Sequence, residues 1–281
     1  MLQCNNVCET VLTLATPLIA ITPSDAPNCF HLLVTPQLCV GHADNLFLFG
    51  GAGMAAGIAA IEAVTGRPTV WAAAQYLSYA RPDQLLTLTV TVPVTGKYNS
   101  QARVVVSAGT AEILTVNAAL GARPGGIAAQ WAQMPDVPPP ADCPAMQYNW
   151  PRRPDDLNAS FEKRVAAGRF GNAATGDPSA DGIARLWIRP SDPAIVIDRI
   201  ALAVMADFLP SGIGNALGTA AGGNSLDNTI RFTGATPTQW VLADLRIHAV
   251  SQGFVHGRVH LFGDDGTLLA TASQSMILRV H

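Results

Sequence analysis

The segment Leu86-Thr87-Leu88-Thr89-Val90-Thr91-Val92 alternates apolar and polar residues without a fault. A period of two sends every large apolar side chain to one face, which predicts a half-buried strand. Gln101–Ser107 and Glu112–Leu120 follow as strands, joined by Ala108-Gly109-Thr110, so an antiparallel meander is expected. Phe30–Val40 reads as an earlier strand. Leu46–Val64 has another rhythm. Large apolar residues stand at Leu46, Phe49, Met54, Ile58, Ile61 and Val64, and Gly50, Gly51, Gly53, Ala55, Ala56 and Gly57 fill the gaps. This spacing predicts one helix after a glycine turn, slim enough for a sheet to approach closely.

The same order returns further along. Ser160–Arg169 and Ala184–Ile188 read as strands. Pro193–Asp207 reads as a helix, with apolar positions Ile195, Ile197, Ile200, Leu202, Val204 and Met205. Asn224–Phe232, Gln239–Ala249, Phe254–Phe262 and Thr267–Val280 read as strands, the last two joined by an Asp264-Asp265-Gly266 turn. Weak sequence matches run in parallel, at offsets of about 153–157 residues. Tyr79-Ala80-Arg81-Pro82 falls where Phe232-Thr233-Gly234-Ala235 falls, Ala102–Val105 recurs as Gly257–His260, and Gly109-Thr110 as Gly266-Thr267. Between the halves lie Arg123-Pro124-Gly125-Gly126, Pro138-Pro139-Pro140, Pro144, Pro151 and Pro154, a connector's composition. Three parts are expected: residues 1–121, a Pro-rich linker 122–159, and residues 160–281. The repeat argues for duplication of one helix-plus-sheet unit.

Composition narrows the function classes. Of 281 residues, 49% are hydrophobic and 13% charged, enough apolar content for a sizeable core. The net charge of -3 offers no basic excess to neutralise phosphates, so no nucleic-acid partner is expected. No Lys or Arg precedes Arg67, which argues against a secretory leader. The uncharged stretch Asn45–Ile61 is short for a membrane span, so none is expected. The five cysteines are odd in number and form no CxxC, and the histidines show no metal spacing on a helix. Neither a disulfide framework nor a metal site is expected, no cofactor is called for, and a cytoplasmic location is the simplest reading.

Several stretches, taken in order, carry a resemblance. Phe49-Gly50-Gly51 opens the first helix, and Tyr79-Ala80-Arg81-Pro82 ends the next strand. Pro135–Pro140 forms the linker, and Asp207-Phe208-Leu209-Pro210 ends the second helix. Ser225 with Asp227, and Gly266–Gln274 followed by Arg279, complete the set. From about Phe30 to His281 the chain resembles the acyl-CoA thioesterase II family. The resemblance implies an α+β double hotdog fold, with two helices each wrapped by an antiparallel β-sheet. It also implies hydrolysis of fatty acyl-CoA to free fatty acid and CoA by an activated water, within fatty acid metabolism. The family's catalytic Asp, Thr or Ser, and Gln fall on Asp207, Ser225 and Gln274. Ser225 keeps the hydroxyl of the usual Thr but lacks the methyl that fixes its rotamer.

Each of these residues also has a plainer reading. Asp207 sits at the C-terminal end of its predicted helix, where the helix dipole disfavours a carboxylate, and could be solvated. Gln274 shares strand parity with Leu268, Ala270, Ala272, Met276 and Leu278 and could make a structural hydrogen bond. Ser225 alternates with Asp227, Thr229 and Arg231 on the polar side, unless a bulge or strand start turns it inward. Asp227 and Asn228 are its nearest substitutes. Aligning the halves puts Ala72 opposite Ser225 and Ala118 opposite Gln274, so one working site per chain is expected. Gly50, Gly51 and Gly53 could receive the substrate, because N–H groups at a helix N-terminus can polarise a thioester carbonyl. Close helix-to-sheet packing explains these glycines equally well.

Other functions are weaker. Gly51–Gly57 imitates a dinucleotide fingerprint but lacks a βαβ context and a following acid. No Gly-x-Ser-x-Gly is present. An enoyl-CoA hydratase could use Asp244 and His248, and a non-catalytic acyl-CoA-binding module would keep the tunnel alone. Hotdog sheets often pair edge to edge, so a homo-oligomer is also considered.

Overall fold

In the computed structural model, which describes residues 17–148, 153–234 and 237–280, the alternating segments all pair as antiparallel strands. The first half contains β1 (Thr22–Pro23), β2 (Cys29–Leu33), β3 (Cys39–Val40), β4 (Phe47–Leu48), helix α1 (Gly50–Thr65), β5 (Thr69–Tyr76), β6 (Leu85–Thr95), β7 (Asn99–Ala108) and β8 (Ala111–Gly121). The second contains β9 (Phe161–Ala167), β10 (Ile183–Pro190), α2 (Arg199–Ala206), α3 (Ile213–Leu217), β11 (Ala221–Ser225), β12 (Asp227–Phe232), β13 (Val241–Ser251), β14 (Phe254–Gly263) and β15 (Leu268–Val280). Thirteen of these strands form one sheet, in the order β1-β2-β6-β7-β8-β5-β12-β15-β14-β13-β10-β9, with β11 also paired to β15. The halves meet at a β5–β12 seam, in register from Asp227↔Gln75 to Arg231↔Trp71. With no parallel pair among the described strands, the dinucleotide reading of Gly51–Gly57 is set aside.

Helix α1 lies on β5–β8 and touches α2. Its Ala52, Met54, Ala55, Ala56, Ile58, Ala60 and Ile61 are fully buried. The small residues set the distance to the sheet: a Cβ on Gly57 would stand 2.8 Å from Val116 Cγ2. The helix ends at Gly66, whose φ of 63° is the left-handed conformation glycine adopts without strain.

Several boundaries differ from the sequence expectation, each for a local reason. The strand expected at Phe30–Val40 ends at Leu33, because Pro36 starts a 3₁₀ turn over Pro36–Leu38. Leu46–Phe49 is not helical: Phe47–Leu48 pairs as a strand and Phe49 is extended. The second helix starts at Arg199, not Pro193, because the Asp198 carboxylate accepts from the Ala201 N–H and caps it there. Asn224–Phe232 breaks at Leu226 into β11 and β12. The Leu226 N–H donates to Ser275 O at 2.8 Å and its carbonyl accepts from the Tyr76 N–H at 3.0 Å. The run Arg199–Leu217 is long and apolar enough to cross a membrane, yet it bends at Asp207 and is mostly buried in the protein.

Between β8 and β9 the connector is packed. Pro138 O accepts from Trp187 Nε1 at 2.9 Å, and Val137, Met134 and Ala132 cover Trp187, Leu242 and Phe262. The Gln130 side chain is strapped to the backbone of Gly266 and Leu268.

Candidate active site

Asp207 is the residue after α2, with its N–H on Val204 O in a tightened last turn. Pro210 follows in a 3₁₀ turn over Leu209–Gly212, so the chain bends there. The side chain is 1% exposed and crosses to the other half of the molecule. Its Oδ2 accepts from the backbone N–H of Gly51, the second residue of α1, at 2.5 Å. A carboxylate at a helix N-terminus lies in a favourable field. The sequence expectation considered only the dipole of Asp207's own helix, whereas the helix that receives the carboxylate is α1.

Asp207 Oδ1 collects the other two residues. Gln274 Nε2 donates to it, and Ser225 Oγ donates to it at 3.2 Å. Gln274 Nε2 also lies 3.4 Å from Ser225 Oγ. A carboxylate only accepts, so the Gln274 amide must present its NH₂ side, which leaves Oε1 without a partner. Ser225 reaches the cluster because it ends β11 just before the break at Leu226, which removes it from the parity of β12. The three residues thus converge, and Asp227 is not a substitute: its Oδ1 is taken by the Ser275 N–H at 2.7 Å.

Burial pushes the Asp207 pKa up from 3.8 to about 7, even though the hydrogen bonds from Gln274, Gly51 and Ser225 pull it down. A carboxyl group that titrates near neutrality exchanges a proton readily with water, the property of a general base.

The three glycines have different jobs. The Gly51 N–H is committed to Asp207, and the Gly53 N–H to Phe49 O at 3.1 Å. Of the three amides proposed to receive a carbonyl, these two are therefore occupied. A Cβ on Gly53 would stand 2.5 Å from Leu114 Cδ2, which is helix-to-sheet packing. On Gly50 it would stand 2.8 Å from Asp207 Oδ2 and 2.9 Å from Tyr76 Cζ. Gly50 is bare so that the carboxylate and the phenol can flank the same point.

Tyr76 is a residue the sequence reading missed: the strand after the first helix was placed only by an end at Tyr79-Ala80-Arg81-Pro82, whereas β5 ends at Tyr76 itself. It shares the inner face of β5 with buried Ala72 and Ala74. Asn228, noted only as a substitute for Ser225, is fully buried. Continuing the Thr229↔Ser273 register sets it opposite Gln274, as Ala72 stands opposite Ala118 in the first half. The counterpart of Ala72 is therefore Asn228, and the alignment with Ser225 slips because of the break at Leu226. Ala72 and Ala118 are buried among apolar residues and form no polar cluster.

The hydratase pair does not assemble. Asp244 pairs with Arg185 at 2.8 Å and lies 3.8 Å from Arg258, while His248 sits at a register shift in β13.

The family described as "acyl-CoA thioesterase C-terminal domain" matches residues 125–278. Among solved structures, a proposed thioesterase from Novosphingobium aromaticivorans is 35% identical, covering 92% of this chain and 98% of its own, with a TM-score of 0.81. A hot dog fold protein from Alicyclobacillus acidocaldarius is 22% identical over 93% of this chain and 96% of its own, with a TM-score of 0.80. The acyl-CoA thioesterase II of Mycobacterium marinum is 18% identical over 94% and 97%, with a TM-score of 0.69. A comparison with curated proteins gives no match. With the match covering more than half the chain, and with the hotdog architecture in place, this protein belongs to the acyl-CoA thioesterase family.

Proposed function

We propose that the chain hydrolyses fatty acyl-CoA with a water molecule activated by Asp207, from a single site in a double hotdog built of residues 1–121 and 160–281. The observation that carries this reading is the buried Asp207 carboxylate, titrating near 7 and held by Gln274, Ser225 and the Gly51 N–H. Asp207 takes a proton from the water as its oxygen bonds to the thioester carbon. The carbonyl becomes a tetrahedral oxyanion, which collapses and expels the CoA thiolate. The thiolate leaves with the proton held by Asp207, and the products are a carboxylic acid and free CoA. Gln274 Oε1 can accept the second proton of the water in a hydrogen bond, fixing its orientation. Ser225 donates to Asp207 and steadies the carboxylate. Free thiols at Cys29, half-buried, and at Cys39 and Cys143, both buried, suit the reducing cytoplasm proposed as its location.

A thiol-release assay over a series of acyl chain lengths tests the reading. Release should be steady and saturable with wild-type protein and nearly absent with Asp207→Asn. No release at any chain length, with acyl-CoA still bound, would favour the binding-module alternative.

A further inference from the structure

Among the described residues, eight buried side-chain nitrogen or oxygen atoms lack a hydrogen-bond partner. Four of them belong to three residues of this one site: Tyr76 Oη, both amide atoms of Asn228, and Gln274 Oε1. The three residues stand on β5, β12 and β15, which are consecutive in the sheet. Leaving one buried polar group unpaired costs roughly 1–3 kcal/mol, and folded proteins rarely concentrate such costs without a use. The rest of the cluster is already matched. Asp207, Ser225 and the Gln274 NH₂ bond to one another, and one unpaired Gln274 atom is an acceptor suited to water. What remains is the Tyr76 hydroxyl and the Asn228 amide, whose NH₂ lacks an acceptor and whose Oδ1 lacks a donor.

The reaction supplies an acceptor: the thioester carbonyl oxygen, which becomes negatively charged as water adds. We infer that Tyr76 Oη and Asn228 Nδ2 are the donors that receive this oxygen, a cradle built from both halves across the β5–β12 seam. This rests on the hydrolytic reading above and names the groups that stabilise its oxyanion. The placement suits the role. Tyr76 Cζ and Asp207 Oδ2 both lie within 3 Å of the point where Gly50 would carry a Cβ, so a carbonyl beside Tyr76 is also beside the base. The Tyr76 ring is half-buried while its hydroxyl is enclosed, so the hydroxyl points inward to the site. Burial, with the charges of Asp207 and Asp227, holds the phenol well above its usual ionisation range, against the neighbouring Asn228 amide. It therefore remains a neutral O–H that can donate. The first half would then contribute chemistry, although its own face is apolar.

The test uses a dethia analogue of acyl-CoA, in which a methylene replaces the sulfur and leaves a ¹³C-labelled ketone that cannot be cleaved. The bound carbonyl stretch is read by infrared spectroscopy in wild type, Tyr76→Phe and Asn228→Leu. Donors on the oxygen lower the stretch, so it should rise in each variant. Turnover on acyl-CoA should fall about 10²–10³-fold per lost donor, with KM little changed. The acid limb of the pH profile should stay in place, because neither residue acts through Asp207. Tyr76→Phe should melt no lower than wild type, since it removes one unpaired buried atom and keeps the shape. Tyr76→Phe alters one oxygen atom and keeps the test alive if Asn228→Leu does not fold. An unshifted carbonyl overturns the inference, as does a Tyr76→Phe protein with wild-type kcat. Absence of wild-type hydrolysis would instead remove the proposed function, with the infrared result still deciding whether the cradle exists.

Discussion

Under the helices, the two halves present different inner faces. On β5 and β8 the face is Ala72, Ala74, Val116 and Ala118, buried and apolar apart from Tyr76 at its end. On β12 and β15 it is Asn228, Ile230, Ala272 and Gln274, apolar residues interrupted by two amides. The helices differ in a complementary way. Helix α1 opens with bare glycines and a buried N–H that bonds the Asp207 carboxylate, while α2 closes with that carboxylate. Polar groups can be buried on one side because the other side, having no side chains at Gly50 and Gly51, lets its backbone come close enough to bond them. The site is a product of this inequality: one half holds Asp207, Ser225 and Gln274, and the other supplies the helix terminus, the space and the Tyr76 hydroxyl.

The comparison is best challenged where it is most lopsided. Asp207→Asn keeps the shape and removes the base, so turnover should fall by about 10²–10⁴-fold in a thiol-release assay. The same variant should melt at a higher temperature above neutral pH. The folded pKa of about 7 exceeds the ordinary 3.8, so the folded state binds the extra proton between those values. The associated stability is present below pH 3.8 and is lost as pH rises through about 7, on the order of a few kcal/mol. Calorimetry across that window should show this slope in wild type and a flatter profile in Asp207→Asn. Wild-type kcat should correspondingly drop about tenfold per unit below pH 7.

Gly50→Ala asks whether the apolar half contributes by leaving space. The added methyl meets both Asp207 and Tyr76, so turnover should fall about 10²-fold and stability by about 1–3 kcal/mol. Wild-type rates in this variant would show that the first half is only a wall. Gln274→Ala removes a charge-assisted bond to Asp207 and the acceptor for water, and should lower kcat about 10–100-fold with little change in KM. The kinetic pKa should also rise, because that bond favours the ionised carboxylate. Smallest is Ser225. Ser225→Ala should slow turnover by less than about tenfold, and Ser225→Thr should stay within about threefold of wild type, since the hydroxyl is retained. A mass spectrum taken during turnover should show no acyl group on Ser225.

The alternating strands and the small-residue helix were legible because burial on one face imposes a period that survives in sequence. The site was legible only in part, and for reasons visible residue by residue. Gln274 stood out as an amide on an apolar face. Ser225 looked misplaced, because strict alternation carries on through Leu226 while the backbone does not. Tyr76 gave no signal, because Thr69–Tyr76 mixes alanines with polar residues and its alternation is faint. The direction of the Asp207 side chain was hidden too. Whether a carboxylate at a helix end meets water or the start of another helix depends on tertiary packing, and Gly51 lies 156 residues away. The second helix began late for a local reason that could have been read: Asp198 is a good N-cap, and the apolar pattern simply ran past it.

The β5–β12 seam has a consequence for how such a site could arise. Two separate, identical chains joined strand to strand about a two-fold axis must carry every residue twice, once on each side. An aspartate that faces a glycine on one side would then have to be matched by an aspartate facing a glycine on the other. Any substitution that improved one side would be imposed on both. Here Thr229 faces Ala73 at the centre of the seam, and the two strands belong to the same covalent chain. A change on one strand leaves its partner untouched. The alanines of β5 and the amides of β12 and β15 could therefore be selected independently, as they could not be in a symmetric pair. With both strands in one polypeptide, neither face is bound to copy the other, and the unequal faces use that freedom.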